Sequence, residues 1–313
     1  MTDRIAFVFP GQGSHRAGMA SAWLPQAADL FTDLSDATGL DLVATADDAE
    51  ACGASTRLGQ PSITAVSLAA HAALTQAGLV PDLVAGHSLG ELSAAVAAGV
   101  FTPAEGVSLV AARGRAMGQA CRSAPGTMAA VVRVDTETVE EVVATIDDVV
   151  VANINAPGQV AIAGTQAGID AATEALRDEG GRVIALPVEG AFHSPAMTPA
   201  VVALTAALQW APARDPEIGL VSGLDGAVRL TGSAVTRALV EGVLAPVRWV
   251  DVQHALRDAG VGLLVEVGPG GVLTGLAKRT LPDVRAVSVQ TPEDVAVAVQ
   301  AAAELRDRTP AHV

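Results

Sequence analysis

The chain has 313 residues, half of them hydrophobic, with a formal charge of −15 and only 3% aromatic residues, none of them tyrosine. So acidic a balance excludes nucleic acid and anionic membranes as partners, because both require basic stripes, and no long uncharged apolar run offers a membrane span. Two cysteines, Cys52 and Cys121, are too few for a disulfide framework and suit a reducing cytosol. The opening segment meets Pro10 and Gly11 too early to read as a signal peptide, so a cytoplasmic location is expected.

In chain order, "RIAFVF" (4–9) is an apolar run stopped by Pro10 and Gly11, and predicts a buried strand. "SITAVSLAAHAALTQA" (62–77) predicts an alanine-rich helix with Pro61 just ahead of it. "DLVAGH" (82–87) predicts a second strand, and "LGELSAAVAAG" (89–99) a helix ending at Gly99. In the next helix (102–121) Thr102 is the cap, Pro103 the first helical residue and Glu105 the capping-box partner. Alternating strands and helices indicate a mostly parallel α/β sheet. From 127 to 188 the order becomes β-α-β-β-α-β, the ferredoxin-like split motif, inserted in the larger layer. Residues 1–125 and 190–313 are thus expected to form a large hydrolase-like subdomain, and 126–189 a small one. "LLVEVGPGGVLTGLAKRT" (263–280) reads as strand, glycine turn and helix, and the stretch beyond Pro292, ending "RDRTPAHV", is expected to fray.

Chemistry is signalled at "AGHSLGEL" (85–92), where Gly86-His87-Ser88-Leu89-Gly90 is a G-x-S-x-G pattern between a strand and a helix. In that context the serine occupies a strained turn and the glycines let backbone crowd around it. A serine hydroxyl needs a base within hydrogen-bond reach, usually histidine. Of the six histidines, His71 and His254 lie in helical patterns and His312 in the tail. His87 adjoins the serine, but neighbouring side chains leave a turn in different directions. His193, in "VEGAFHSPAM" at the subdomain junction, is placed to face a cleft. An oxyanion needs aimed donors. The backbone N–H of Leu89 is one, and "FPGQGSH" (9–15) can bring the Gln12 backbone as a second or be a plain glycine turn. Arg113 reads on spacing alone as a helix-surface residue pairing with Glu105 or Glu91. There is no H-E-x-x-H or paired C-x-x-C for a metal, and no GxGxxG or GxxxxGK loop for a bound cofactor.

Together, "FPGQGS", "LGQPSI", "GHSLGE", "VAARGRAM", "ANINAPGQVAIAG", "GAFHSPAM", "PVRW" and "EVGPGGVLTGLAKR", in that order over residues 9–279, resemble the malonyl-CoA:acyl carrier protein transacylases and the acyltransferase domains of polyketide synthases. The resemblance implies Ser88 as acylated nucleophile, His193 as base, and the Gln12 and Leu89 N–H groups as oxyanion hole. It implies a backbone carbonyl at Gly242, where relatives commonly have glutamine, to orient the histidine. Arg113 becomes the clamp for the free carboxylate of malonate, since a guanidinium offers two parallel donors that lysine cannot copy. Phe192 sits where smaller residues accompany methylmalonate, and Gln60 and Asn155 fall in site-lining blocks. At His15 many relatives carry a second glutamine, and that position is expected at the cleft mouth. The expected reaction transfers malonyl from malonyl-CoA through an acyl-serine to the phosphopantetheine thiol of an acyl carrier protein, as fatty-acid and polyketide synthesis require. Carrier proteins are acidic, so docking onto this acidic chain calls for a basic patch, with Lys278, Arg279, Arg285 and Arg182 as candidates. Rival readings are a G-x-S-x-G esterase, which predicts an acidic triad member and leaves Arg113 unexplained, and a proofreading thioester hydrolase of the same fold, which differs in using water as acceptor.

Overall fold

In the computed structural model, which describes residues 3–308, Arg4–Phe9 forms strand β1 and every residue of it after Arg4 is buried. Apolar side chains at successive positions, rather than alternate ones, mark a strand covered by helices on both faces. Helices α1 (Leu24–Thr38), α2 (Leu42–Asp47), α3 (Ala49–Ala54) and α4 (Thr56–Gln76) follow. Next come β2 (Leu83–Gly86), α5 (Gly90–Ala97) and α6 (Pro103–Ser123). The reciprocal cap of α6 is present: Glu105 N–H donates to Thr102 Oγ1 at 3.2 Å and Thr102 N–H to the Glu105 carboxylate at 2.7 Å.

The small unit comprises β3 (Thr127–Val132), α7 (Thr136–Ala144), β4 (Val149–Ala156), β5 (Gln159–Gly164), α8 (Gln166–Asp178) and β6 (Arg182–Ala185). Its antiparallel sheet has the order β4-β5-β3-β6, the ferredoxin-like arrangement. Side chains alternate across a strand. Ala129, Val131, Val160 and Ile162 therefore pack with α7 and α8, while Met128, Ala130, Gln159 and Ala161 face the large unit.

The chain then forms α9 (Thr198–Leu208), β7 (Gly219–Val221), β8 (Val228–Arg229), α10 (Gly232–Glu241) and α11 (Trp249–Asp258). It closes with β9 (Val261–Val267), α12 (Val272–Thr280), β10 (Arg285–Val289) and α13 (Pro292–Arg308). The large sheet runs β10-β9-β1-β2-β7-β8, parallel except for the terminal β7–β8 pair. In such sheets ligands bind beyond the carboxyl ends of the strands, which here are Phe9 of β1 and Gly86 of β2, neighbours in register.

Three local expectations are corrected. The helix expected from Ser62 begins at Thr56 and takes Pro61 inside it. Proline forfeits one helical hydrogen bond, but Gly59 to Ala70 are all buried, and packing on that scale outweighs one bond. Strand β6 stops at Ala185, before Leu186-Pro187-Val188. Residues 292–308, expected to fray, form α13, whose Ala298, Ala301 and Ala302 enter the main core. His312 lies outside the described residues.

Candidate active site

Ser88 has φ 52°, in the left-handed region. A Cβ on Gly86 would stand 2.0 Å from the Gly90 carbonyl carbon, and one on Gly90 2.0 Å from the Phe9 carbonyl oxygen. Only glycine lets β1, the turn and α5 approach so closely, and the strain of the turn is of the kind found where a side chain must be held in one direction.

His193 also has positive φ, 57°, and is buried. Its Nε2 lies 2.8 Å from Ser88 Oγ, and its Nδ1 lies 2.9 Å from the Gly242 carbonyl and 3.0 Å from the Ala245 carbonyl. Carbonyls only accept, so Nδ1 carries the proton and Nε2 is left to accept from the serine hydroxyl. Burial, with the nearby Arg113 and His87 adding to it, pulls His193 down to about 3, so it stands neutral and ready as a base. Two carbonyls take the place of the acidic member that an esterase triad predicts. The segment supplying them is tied to the small sheet, since Val247 exchanges hydrogen bonds with Ala152 and Ile154 of β4 at 2.9 and 2.8 Å. Ala245 is absent from the sequence reading, because a backbone carbonyl leaves no trace in residue type.

Arg113 is 4% exposed, its Nη2 donates to Ser88 Oγ at 3.2 Å, and no carboxylate lies within ion-pair distance of it among the described residues. Burial lowers its pKa to about 10, partly offset by Glu91, so it remains a cation at neutral pH. The alternative partners are engaged elsewhere. Glu105 pairs with Arg214 at 2.7 Å. Glu91 accepts from Ser222 Oγ at 2.7 Å and Gly223 N–H at 3.3 Å, and burial pushes it up to about 7. A buried cation without a paired anion is costly unless a ligand completes it.

These groups open on a cavity of about 280 Å³ lined by Gln12, Gln60, Ser88, Leu89, Arg113, Phe192 and His193, with Met117, Met128, Leu186, Val188 and Leu276 as apolar walls. The glycine loop lies against the nucleophile turn, because a Cβ on Gly11 would stand 2.7 Å from the His87 carbonyl oxygen. The Gln12 side chain turns toward Thr56 and Gln60, at 3.5 and 3.4 Å. Asn155 lines the cavity and meets His87, its Oδ1 2.8 Å from His87 Nε2. Edge-on against Trp249, the His87 ring has its Nε2 engaged by Asn155 rather than by Ser88. His71 sits between Phe7 and Phe9, where burial lowers its pKa to about 4. His15 is not at the cleft mouth as expected: its ring packs where a Cβ on Gly53 would stand, 2.6 Å from Nε2.

The four basic candidates separate. Arg279 Nη1 donates to Gln159 Oε1 at 2.8 Å, and Gln159 lines the cavity. Lys278 is exposed beside it. Gln159, Val132 and Arg182 face one another across β5, β3 and β6, so Arg182 shares that sheet face. Arg285 does not join them. It is level with Leu263 and Ile5, at the opposite end of the large sheet, and pairs with Glu304. At about 3.3 Å per residue, roughly 13 Å of strand separates that level from Phe9.

The acyl transferase domain family model matches residues 6–304. A malonyl CoA-acyl carrier protein transacylase of Bacillus subtilis is 34% identical, covering 97% of this chain and 99% of its own length. Among solved structures, an acyl-carrier-protein S-malonyltransferase from Burkholderia pseudomallei superposes with a TM-score of 0.89 at 38% identity, over 95% of this chain and 99% of that one. A malonyl-transacylase solved in complex with a type II polyketide synthase acyl carrier protein does so with a TM-score of 0.90 at 33% identity, over 95% and 99%. With a family model matched over residues 6–304 and relatives of 34 and 38% identity covered almost end to end, the chain belongs to the malonyl-CoA:acyl carrier protein transacylases of the acyl transferase family.

Proposed function

We propose that this chain transfers a malonyl group from malonyl-CoA to the phosphopantetheine thiol of an acyl carrier protein, through an ester on Ser88. The observation that carries this reading is the buried Arg113 guanidinium, with no carboxylate in ion-pair distance among the described residues, beside the Ser88–His193 pair. His193 Nε2 takes the Ser88 hydroxyl proton as Oγ attacks the thioester carbon. The oxyanion is met by the backbone N–H groups of Gln12 and Leu89, which line the same cavity. The carbonyls of Gly242 and Ala245 hold Nδ1–H and so stabilise the imidazolium. Collapse expels the coenzyme A sulfur, which leaves with the proton from Nε2. The carrier thiol then repeats the sequence on the malonyl-serine ester, giving ping-pong kinetics.

Arg113 holds the far carboxylate of the malonyl group and so disfavours acetyl. Phe192, 7% exposed on the cavity wall, limits a methyl branch, an exclusion of about 1–3 kcal/mol. Arg279, bonded to the cavity-lining Gln159, its exposed neighbour Lys278, and Arg182 on the same sheet face form the proposed landing for the acidic carrier. The reading places the enzyme in the cytoplasm.

The test is intact-mass measurement after incubation with malonyl-, methylmalonyl- or acetyl-CoA, each in turn. A malonyl adduct that is absent from Ser88→Ala and outlasts the assay until carrier protein is added is the expected result. Rapid release of free malonate without carrier would replace this reading with a thioester hydrolase.

A further inference from the structure

Thr56, the first residue of α4, is fully buried where several parts of the site converge. Its hydroxyl accepts from the Gln12 side-chain amide of the glycine loop, at 3.5 Å. Its carbonyl presses on α6, where a Cβ on Gly114, the residue after Arg113, would stand 2.7 Å away. Its backbone N–H donates to the Glu189 carboxylate at 2.7 Å. Ser55, the residue in the capping position of α4, makes no side-chain cap, so a carboxylate 133 residues away satisfies the helix end instead.

Glu189 lies on the return segment between β6 and His193, outside every strand and helix. Leu186 N–H still bonds the Met128 carbonyl of β3, and the His193 ring bonds Gly242 and Ala245. Between those two points, the one long-range hydrogen bond among the described residues is that of Thr56 to Glu189. The same stretch rests on α6: a Cβ on Gly190 would stand 2.4 Å from Cys121 Sγ, and the Glu189 carboxylate is 3.4 Å from where a Cβ on Gly118 would be. No step of the reaction consumes this carboxylate.

We propose that Glu189 is a positioning residue, which fixes the backbone entering Phe192-His193 against α4 and α6. It thereby sets both the attack geometry of Ser88 and the room beside the acyl α-carbon. The specificity half of this inference rests on the malonyl-transfer reading. The physical ground is that a ring hydrogen-bonded at Nδ1 can still pivot if its own backbone slides, and that Phe192 moves with that backbone. Displacements of about 1 Å at reacting groups cost up to about a hundredfold in rate. A methyl group is discriminated by only about 1–3 kcal/mol of wall contact.

The experiment compares Glu189→Ala with Glu189→Gln, which keeps an acceptor oxygen for the Thr56 N–H. Two readouts are used. One is the rate of Ser88 acylation by p-nitrophenyl acetate, an activated ester indifferent to the natural acyl group. The other is the ratio of methylmalonyl to malonyl loading from an equimolar CoA mixture. Glu189→Ala is expected to slow acylation by about tenfold and to raise the methylmalonyl share by about fivefold. Its KM for malonyl-CoA should stay within about twofold, because among the described residues no hydrogen bond or ion pair joins Arg113 to Glu189. Glu189→Gln is expected to restore both readouts. A lowered Tm in Glu189→Ala with rate and ratio unchanged, or a Glu189→Gln variant as impaired as Glu189→Ala, overturns the proposal. Should Glu189→Ala fail to fold, Glu189→Asp, whose acceptor is withdrawn by one methylene, must show the intermediate rate and ratio or the proposal falls. If the parent is acylated by p-nitrophenyl acetate but not by malonyl-CoA, the malonyl reading fails while the positioning of His193 is still decided by the ester rate.

Discussion

Replacing Arg113 by methionine separates a clamp from a structural cation. The side chain is 4% exposed and has no carboxylate within ion-pair distance among the described residues, so its charge is borne by the fold without direct return. Burial lowers its pKa from the ordinary arginine range to about 10; at about 1.4 kcal/mol per unit this is a penalty on the order of 3 kcal/mol. A base with a lower folded than unfolded pKa penalises the folded state at every pH below both values, so the whole penalty is present at pH 7. Methionine keeps most of the stem volume and removes the charge. Arg113→Met is therefore expected to hold or raise the Tm in the absence of ligand. It is also expected to lose about 3–5 kcal/mol of malonyl recognition, the usual result of stranding one member of a buried pair. That corresponds to a fall of at least about a hundredfold in kcat/KM for malonyl-CoA. Acetyl-CoA loading should remain within a few-fold of the parent. The assay is intact-mass loading kinetics beside thermal unfolding, with and without malonate, which should stabilise the parent and not the variant. A Tm several degrees lower, with malonyl and acetyl loading lost in equal proportion, would refute the reasoning and make Arg113 a structural residue.

Glu91, raised to about 7, binds a proton more readily folded than unfolded, so its contribution to stability is complete below about pH 4.5 and is lost as pH rises through 7. Glu91→Gln should flatten that part of the Tm–pH profile, and an unchanged profile would assign the slope elsewhere. Gly90→Ala places a methyl 2.0 Å from the Phe9 carbonyl oxygen. It should abolish Ser88 acylation even where circular dichroism shows a folded chain, and normal acylation would mean that the turn has slack the geometry denies. Charge reversal at Lys278 and Arg279 should raise the carrier KM several-fold while leaving the malonyl-CoA half-reaction alone. Arg285→Glu, at the far end of the sheet, should change neither, and an equal effect of all three reversals would mean that net charge rather than a landing site governs docking.

What the sequence determined by itself was whatever is encoded over a few consecutive residues. The G-x-S-x-G turn, the Thr102–Glu105 cap, the buried runs of β1 and β2 and the β-α-β-β-α-β order are of this kind, because turn geometry, capping and side-chain period act within one or two turns of chain. Ser88 and Leu89 in one short block, with Gln12 and His193 each in another, could be singled out locally, Arg113 only through the family resemblance of its block, and the structure brings all five to one cavity. The tertiary structure alone decided what depends on register and on contacts between distant segments. Ala245 joins Gly242 at His193 through a carbonyl that any residue could supply. Arg285 leaves the basic group because three parallel strands place it level with Ile5. α4 runs through Pro61 because burial on every side outweighs one missing hydrogen bond. Thr56 meets Glu189 across 133 residues of chain, since an unsatisfied helix end takes whichever acceptor packing brings to it.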